Sequence, residues 1–301
     1  MILLCGEASD SPLSSVHSLV ESIGIPYIFM SGADAAEASI TFELNHGRPT
    51  GILGCGGRSY ALEAIGGVYL RVGNDILWEN GQSAAFYDTF FEWCQIADSR
   101  VVTRPTSAAS NSSKPYQAQL IQAQGLSVPD TIVSNDVDQI LAFRTLHRRI
   151  VYKSMSATRS IVRLVGDEDL RRLHRVSWCP TQFQQFVEGV NVRVHVVGDK
   201  PIATAIHTDA VDYRYPSPSD RLSLTEVRLP DDLETKCLQL ASALNLPFAG
   251  IDLKVTPAGR VYCFEVNPSP AFTYYERQTG QPIARALIDY LSGDCHNVAH
   301  G

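Results

Sequence analysis

The chain lacks a basic excess. Its 301 residues carry 25 Lys and Arg against 32 Asp and Glu, a formal net charge of −7. Nucleic-acid binders gather Lys and Arg on one face; here the pairs Arg148-Arg149 and Arg171-Arg172 read as solvated helix surface. Nucleic acid is therefore not an expected partner. No C-x-x-C pair occurs, and the seven cysteines (Cys5, Cys55, Cys94, Cys179, Cys237, Cys263 and Cys295) are scattered and odd in number. That excludes a disulfide or zinc framework and points to a reduced, cytoplasmic setting. No apolar run approaches the roughly 20 residues that span a bilayer, and "MILLCGEASD" lacks the basic region and apolar length of a signal peptide. A membrane partner is not expected. Also missing are G-x-S-x-G, G-x-x-x-x-G-K-[ST] and G-x-G-x-x-G, which removes the common serine-hydrolase, P-loop and dinucleotide readings.

What is present is enough apolar content, 45%, for more than one core-bearing unit. "MILLCG", a helix-spaced stretch from Ser11 to Gly24 and "PYIFM" predict a β-α-β start to an α/β domain. Ser11 before Pro12 reads as the helix cap. "ASITFELNHGRPTGILGCGGRSYAL" alternates and breaks at Asn-His-Gly and Gly-Gly, predicting an inserted antiparallel hairpin. A small-residue stretch, Thr106 to Ser113, marks a boundary. Beyond it, mixed strands and helices predict α+β structure, ending in a strand pair, "AGIDLKVT" and "VYCFEVN", and a closing helix.

The chemistry concentrates in "GIDLKVTPAGRVYCFEVNPSPAFTYYE". Asp252 and Glu265 fall on the two arms of the expected hairpin, and Asn267 shares a face with Glu265 by period-2 geometry. Three oxygen-bearing side chains without His or Cys suit magnesium, which keeps waters and takes few carboxylates plus phosphate oxygens. The plain alternative is a polar strand face. Pro268 and Pro270 end the strand just past these groups.

This stretch resembles the metal-binding end of the ATP-grasp superfamily, in particular RimK-like ligases with their Asp…Glu-x-Asn pattern. The resemblance runs from about Lys114 to Gly293. It implies an ATP-grasp fold with a small N-terminal α/β (pre-ATP-grasp) domain at 1–105, a central lobe at 106–180, a C-terminal lobe with the metal site at 181–293 and a flexible tail at 294–301. It implies ATP and Mg2+ as cofactors, with Mn2+ as a substitute, and formation of an amide bond through an acyl-phosphate. Lys114 and Lys153 match the two nucleotide-binding lysines. "QQFVEGVNVR" resembles the adenine hinge, where Phe186 and Val187 offer backbone groups, Gln185 an amide, and Glu188 or Asn191 a ribose contact. Arg193 matches the arginine beside the transferred phosphoryl group. Arg214 resembles a second arginine, in the loop before the last helix, with a surface salt bridge as its alternative. Asp252, Glu265 and Asn267 are the implied metal ligands.

The loop "SMSATRSIV" departs from the family's glycines, leaving Ser154, Ser156, Thr158 and Arg159 to approach phosphate. The synthetases of ester- and amide-bridged ribosomal peptides share the layout, and "WCPTQFQQFV" resembles theirs, but they end more often in Asn-Pro-Asn-Gly-x-Trp than in "NPSPAF". The substrates implied are a small-molecule or peptide carboxylate and an amine, in a homo-oligomer as in related ligases. Ester or crosslink formation, a kinase-like transfer and a non-catalytic ATP-binding regulator are the other readings. His195 and His207 stay open between structural and site roles, and no general base is readable.

Overall fold

The structure is a computed structural model that describes residues 1–72, 81–153, 162–215 and 217–293. Strand β1 (Ile2–Gly6) is apolar throughout because both its faces are covered. Ile2 and Leu4 enter one core, Leu3 and Cys5 the other. Helix α1 (Ser11–Ile23) follows and ends at Gly24, whose φ of 74° suits glycine. Its cap is Asp10, not Ser11: the Asp10 carboxylate accepts from the Leu13 N–H at 2.9 Å. The Ser11 hydroxyl is instead 3.1 Å from that of Thr273. Strand β2 (Tyr27–Met30) and helix α2 (Gly32–Ala35) lead into β3 (Ser39–Asn45), β4 (Arg48–Cys55) and β5 (Arg58–Ala61), a separate three-stranded antiparallel sheet. Then β6 (Gly67–Arg71), α3 (Gly81–Ile96) and β7 (Arg100–Val102) complete a parallel sheet of order β2-β1-β6-β7.

Helix α4 (Lys114–Ala123) precedes a second sheet. It is built from β8 (Thr131–Ser134), β9 (Ile150–Lys153), β10 (Arg163–Leu164) and β11 (Thr181–Gln185), in the order β10-β9-β11-β8. Helices α5 (Val137–His147), capped by Asp136, and α6 (Asp167–Arg171) cover it. The third sheet, β14-β13-β12-β15-β16, is antiparallel and uses β12 (Val190–Val197), β13 (Lys200–Thr208), β14 (Leu222–Val227), β15 (Phe248–Val255) and β16 (Val261–Asn267). Helix α7 (Asp231–Ala243) packs on it; α8 (Thr273–Thr279) and α9 (Ile283–Ser292) close the described chain. Among the described residues, no helix is long and apolar enough to cross a membrane.

Two expected boundaries move. β11 pairs with β8 and β9, so the central sheet runs to Gln185 and not to 180. Helix α4 belongs with the C-terminal sheet: Ile121 enters its core, and Gln117 clamps the Val266 backbone with bonds of 2.8 and 2.9 Å. Both shifts are long-range pairing effects. β7 and β14 are short or half-exposed and carry too little apolar pattern to be read as strands from sequence. The expected tail at 294–301 lies outside the described residues, as does the phosphate loop with Ser154, Ser156, Thr158 and Arg159.

Candidate active site

Arg193 on β12 is the direct cross-strand partner of Asp252 on β15, and Asp252 is opposite Glu265 on β16. Three adjacent strands therefore present a guanidinium and two carboxylates in a row on one face. Arg193 is buried and donates from Nη1 to Asp252 Oδ1 at 2.7 Å. Burial opposes its charge, yet the adjacent Asp252 carboxylate raises its pKa above the usual arginine range. Gly250 makes room for it: a Cβ there would strike the guanidinium and Pro270. The Asn267 amide oxygen accepts from Arg193 Nη1 at 3.1 Å, and its nitrogen donates to Glu265 Oε1 at 3.1 Å.

Two lysines stand near this row. Lys114, the first residue of α4, is 2.9 Å from Glu265 Oε2. Burial pushes the Glu265 carboxyl up, but the charges of Lys114, Lys153 and Arg214 and the Lys114 bond outweigh it and hold it below its ordinary value. Lys153 ends β9 and is only 7% exposed. Among the described residues no carboxylate lies within 4 Å of its ammonium. Burial first, then the nearby Lys114 charge, lowers it to about 8.

Arg214 sits in the loop between β13 and β14, well before the last helix, which corrects its expected place. It grips Asp212 with bonds of 2.9 and 2.7 Å. Asp212 also accepts the Val162 N–H at 3.2 Å, tying this loop to the start of β10. Tyr213 OH donates to Asp252 Oδ1 at 3.2 Å and lies 3.1 Å from Tyr275 OH. Burial, with the Asp252 charge, raises the pKa of both phenols and keeps them protonated.

Of these groups, Lys153, Asp212, Tyr213, Arg214, Asp252 and Glu265 line one cleft, which continues along Gln185, Phe186, Val187 and Asn191. The segment expected as a hinge lines this cleft with its backbone partly committed. Gln185 N–H donates to Asp130 O and Phe186 N–H to Arg149 O, at 2.8 and 3.0 Å. Val187 N–H has no partner among the described residues. Glu188 is not part of the cleft lining; its exposed side chain pairs with Arg149. His195 is fully buried under Tyr275, and burial with the Arg193 charge holds it neutral. His207 lies beside Thr225, away from the cleft.

Several site residues escaped the sequence reading. Asp212 and Tyr213 precede Arg214; Asp212 is marked by its bonds to Arg214 and Val162, and Tyr213 by its bond to Asp252. Lys254 had a signal: it stands two residues after Asp252, on the same strand face. Among the described residues no group of three or more His, Cys, Asp or Glu forms a self-sufficient metal cage. Two carboxylates and an amide fit a cation that draws its remaining ligands from phosphate and water.

The fold and cleft are those of an ATP-grasp ligase. Residues 111–291 match the RimK-like ATP-grasp domain, and the chain belongs to that family. It is 26% identical over 223 residues to a probable alpha-L-glutamate ligase of Chromohalobacter salexigens, covering 70% of this chain and 73% of that protein. A probable alpha-L-glutamate ligase of Haemophilus influenzae is 23% identical over 183 residues, 58% of this chain and 60% of that one. Among solved structures, the macrocyclase MdnC of Microcystis aeruginosa, bound with its precursor peptide MdnA, superposes with a TM-score of 0.78 at 20% identity. The match covers 98% of this chain and 100% of that one. The ATP-grasp ligase PsnB, complexed with a precursor variant, Mg and ADP, gives 0.76 at 24% identity over 96% and 98%. These likenesses are of fold, and they extend through the N-terminal region that precedes the family match.

Proposed function

We propose that the protein is an ATP-dependent carboxylate–amine ligase acting through an acyl-phosphate. The observation that carries this reading is the Arg193–Asp252–Glu265 row, with Lys114 bonded to Glu265 and Lys153 sharing a cleft with Asp252 and Glu265. Lys114 and Lys153 supply point charges to phosphate oxygens; in the free protein Lys114 rests on Glu265. Asp252, Glu265 and Asn267 would hold Mg2+, or Mn2+ in its place. The ion would neutralise charge on the phosphoryl group in flight. Val187 offers its free N–H to the base, and Asn191 faces the sugar.

The substrate carboxylate attacks the γ-phosphorus, ADP departs, and the acyl-phosphate forms beside Arg193. That guanidinium offsets the repulsion between carboxylate and phosphate. An amine then attacks the acyl carbon, phosphate leaves, and the amine proton passes to solvent or to phosphate. Arg214, anchored by Asp212, faces the same end and would bind phosphate or a substrate carboxylate. The scattered free cysteines of the described residues support a reduced, cytoplasmic setting. Assembly as a homo-oligomer belongs to the same proposal.

Two substrate classes remain in play. The "NPSPAF" ending and the curated glutamate-ligase relatives support a free amino acid or small acid. The fold likeness along the whole chain to peptide-bound ligases favours a peptide carboxylate. Incubation with ATP, Mg2+ and hydroxylamine, separately with amino-acid and peptide pools, tests the reading. A hydroxamate and ADP formed only with a carboxylate pool support it, and the productive pool names the class. A stable phosphorylated product would make the protein a kinase. Tight ATP binding without ADP from any pool would make it a regulator.

A further inference from the structure

Among the described residues, Lys254 is the one cleft-lining cation that the proposed chemistry leaves without work. It lies on β15 two residues beyond Asp252, so the same strand face carries both. The spacing places it about 6.8 Å from the carboxylate end. Its cross-strand neighbours are Asn191 on β12 and Tyr262 on β16. Its ammonium is 5.6 Å from the centre of the Phe186 ring and 5.7 Å from that of Phe264. It therefore stands between the hinge, where the base would lie, and the carboxylates, where the phosphates would lie. Among the described residues no carboxylate is within ion-pair distance of it. Burial holds its pKa below the ordinary lysine value, although the Asp212 charge pulls the other way.

We infer that Lys254 binds the sugar of the nucleotide, donating from its ammonium to a ribose hydroxyl beside Asn191. The inference rests on the nucleotide reading of the cleft. The acidic candidate for that contact, Glu188, does not line the cleft and pairs with Arg149. A ribose hydroxyl is a neutral acceptor that a partly desolvated ammonium can approach without a counter-ion. The two rings beneath Lys254 fix where its head can lie.

Calorimetric titration of ATP, 2′-deoxy-ATP and 3′-deoxy-ATP, with Mg2+, into the full chain and into Lys254→Met tests this. A charge-assisted hydrogen bond predicts about tenfold or greater preference of the wild type for ATP over one deoxy analogue. In Lys254→Met that preference should collapse, with ATP binding as weakly as the analogue binds to wild type. Lys254→Gln provides a second, polar replacement and should show the same collapse relative to wild type. If both variants keep the wild-type preference, or weaken all three nucleotides equally, the sugar contact is wrong. A wild-type chain that binds no ATP at all would overturn the nucleotide reading first and this inference with it.

Discussion

The two walls of the cleft are built differently. The wall carrying Arg193, Asp252 and Glu265 is a five-stranded sheet whose core includes Val194, Leu240, Ile251 and Val266, with a second core behind it around Phe248 and Phe272. The wall carrying Lys153 and the start of the hinge is a four-stranded sheet over a small core of Ile140, Ile150, Val165, Leu173 and Phe183. Buried apolar area is the main stabilising term, so the second wall opens at lower free energy than the first. The proposed metal ligands, which need fixed spacing, sit on the heavy frame, and the proposed nucleotide contacts of Lys153 and the start of the hinge sit on the light one.

Glu265→Ala tests the heavy wall's chemistry and has the largest expected effect. Turnover should fall about 100-fold or more, with an unchanged circular dichroism spectrum; ADP release with a productive substrate pool measures it. Undiminished turnover would remove Glu265 from the site. The contrast in packing is tested by Phe248→Ala and Phe183→Ala, each losing a buried ring at about 3–5 kcal/mol. Hydrogen exchange should show Phe248→Ala loosening the C-terminal and N-terminal units together. Phe183→Ala should accelerate exchange mainly in 131–185. Equal, global acceleration in both would mean that the walls unfold as one.

Gly250→Ala is a smaller perturbation of the heavy wall. A methyl group under the Arg193 guanidinium predicts about 1–3 kcal/mol of destabilisation and reduced turnover with little change in ATP affinity. Thermal melts and steady-state kinetics read the two effects separately. The smallest effect is on the light wall. Lys153 has a folded pKa of about 8 against 10.5 for an ordinary lysine, so between those values the unfolded chain binds more protons and the apo fold gains stability as pH rises. Phosphate binding runs the other way. ATP affinity should fall several-fold as pH rises from 7 to 9, and Lys153→Arg, charged throughout, should flatten that slope. An identical slope in both proteins would clear Lys153 of this role.

Much of this contrast was legible in the sequence. The hairpin carrying Asp252, Glu265 and Asn267 was readable because strand alternation and a four-residue turn are local patterns. Lys114 and Lys153 were singled out by their order along the chain, and the structure sets Lys114 against Glu265. The cap at Asp10 was missed because its carboxylate serves two partners, the Leu13 N–H and the distant Arg71. Arg71 also reaches Ser269, binding the first domain to the loop after β16. Such a contact joins positions almost two hundred residues apart and leaves no local signature. The pairing of Glu188 with Arg149 was unreadable for the same reason: the two are 39 residues apart.

Helix α9 packs its Ile283, Leu287 and Leu291 against Ile2, Leu4, Val16 and Tyr69 of the first domain. One face of the N-terminal parallel sheet is therefore roofed by some of the last described residues to be translated. On the ribosome, roughly 200 residues separate β6 from α9, about 10–40 s of synthesis at typical rates. For that interval the nascent first domain shows an oily sheet face to the cell, a natural station for a chaperone. Its folding is completed by the arrival of the far end.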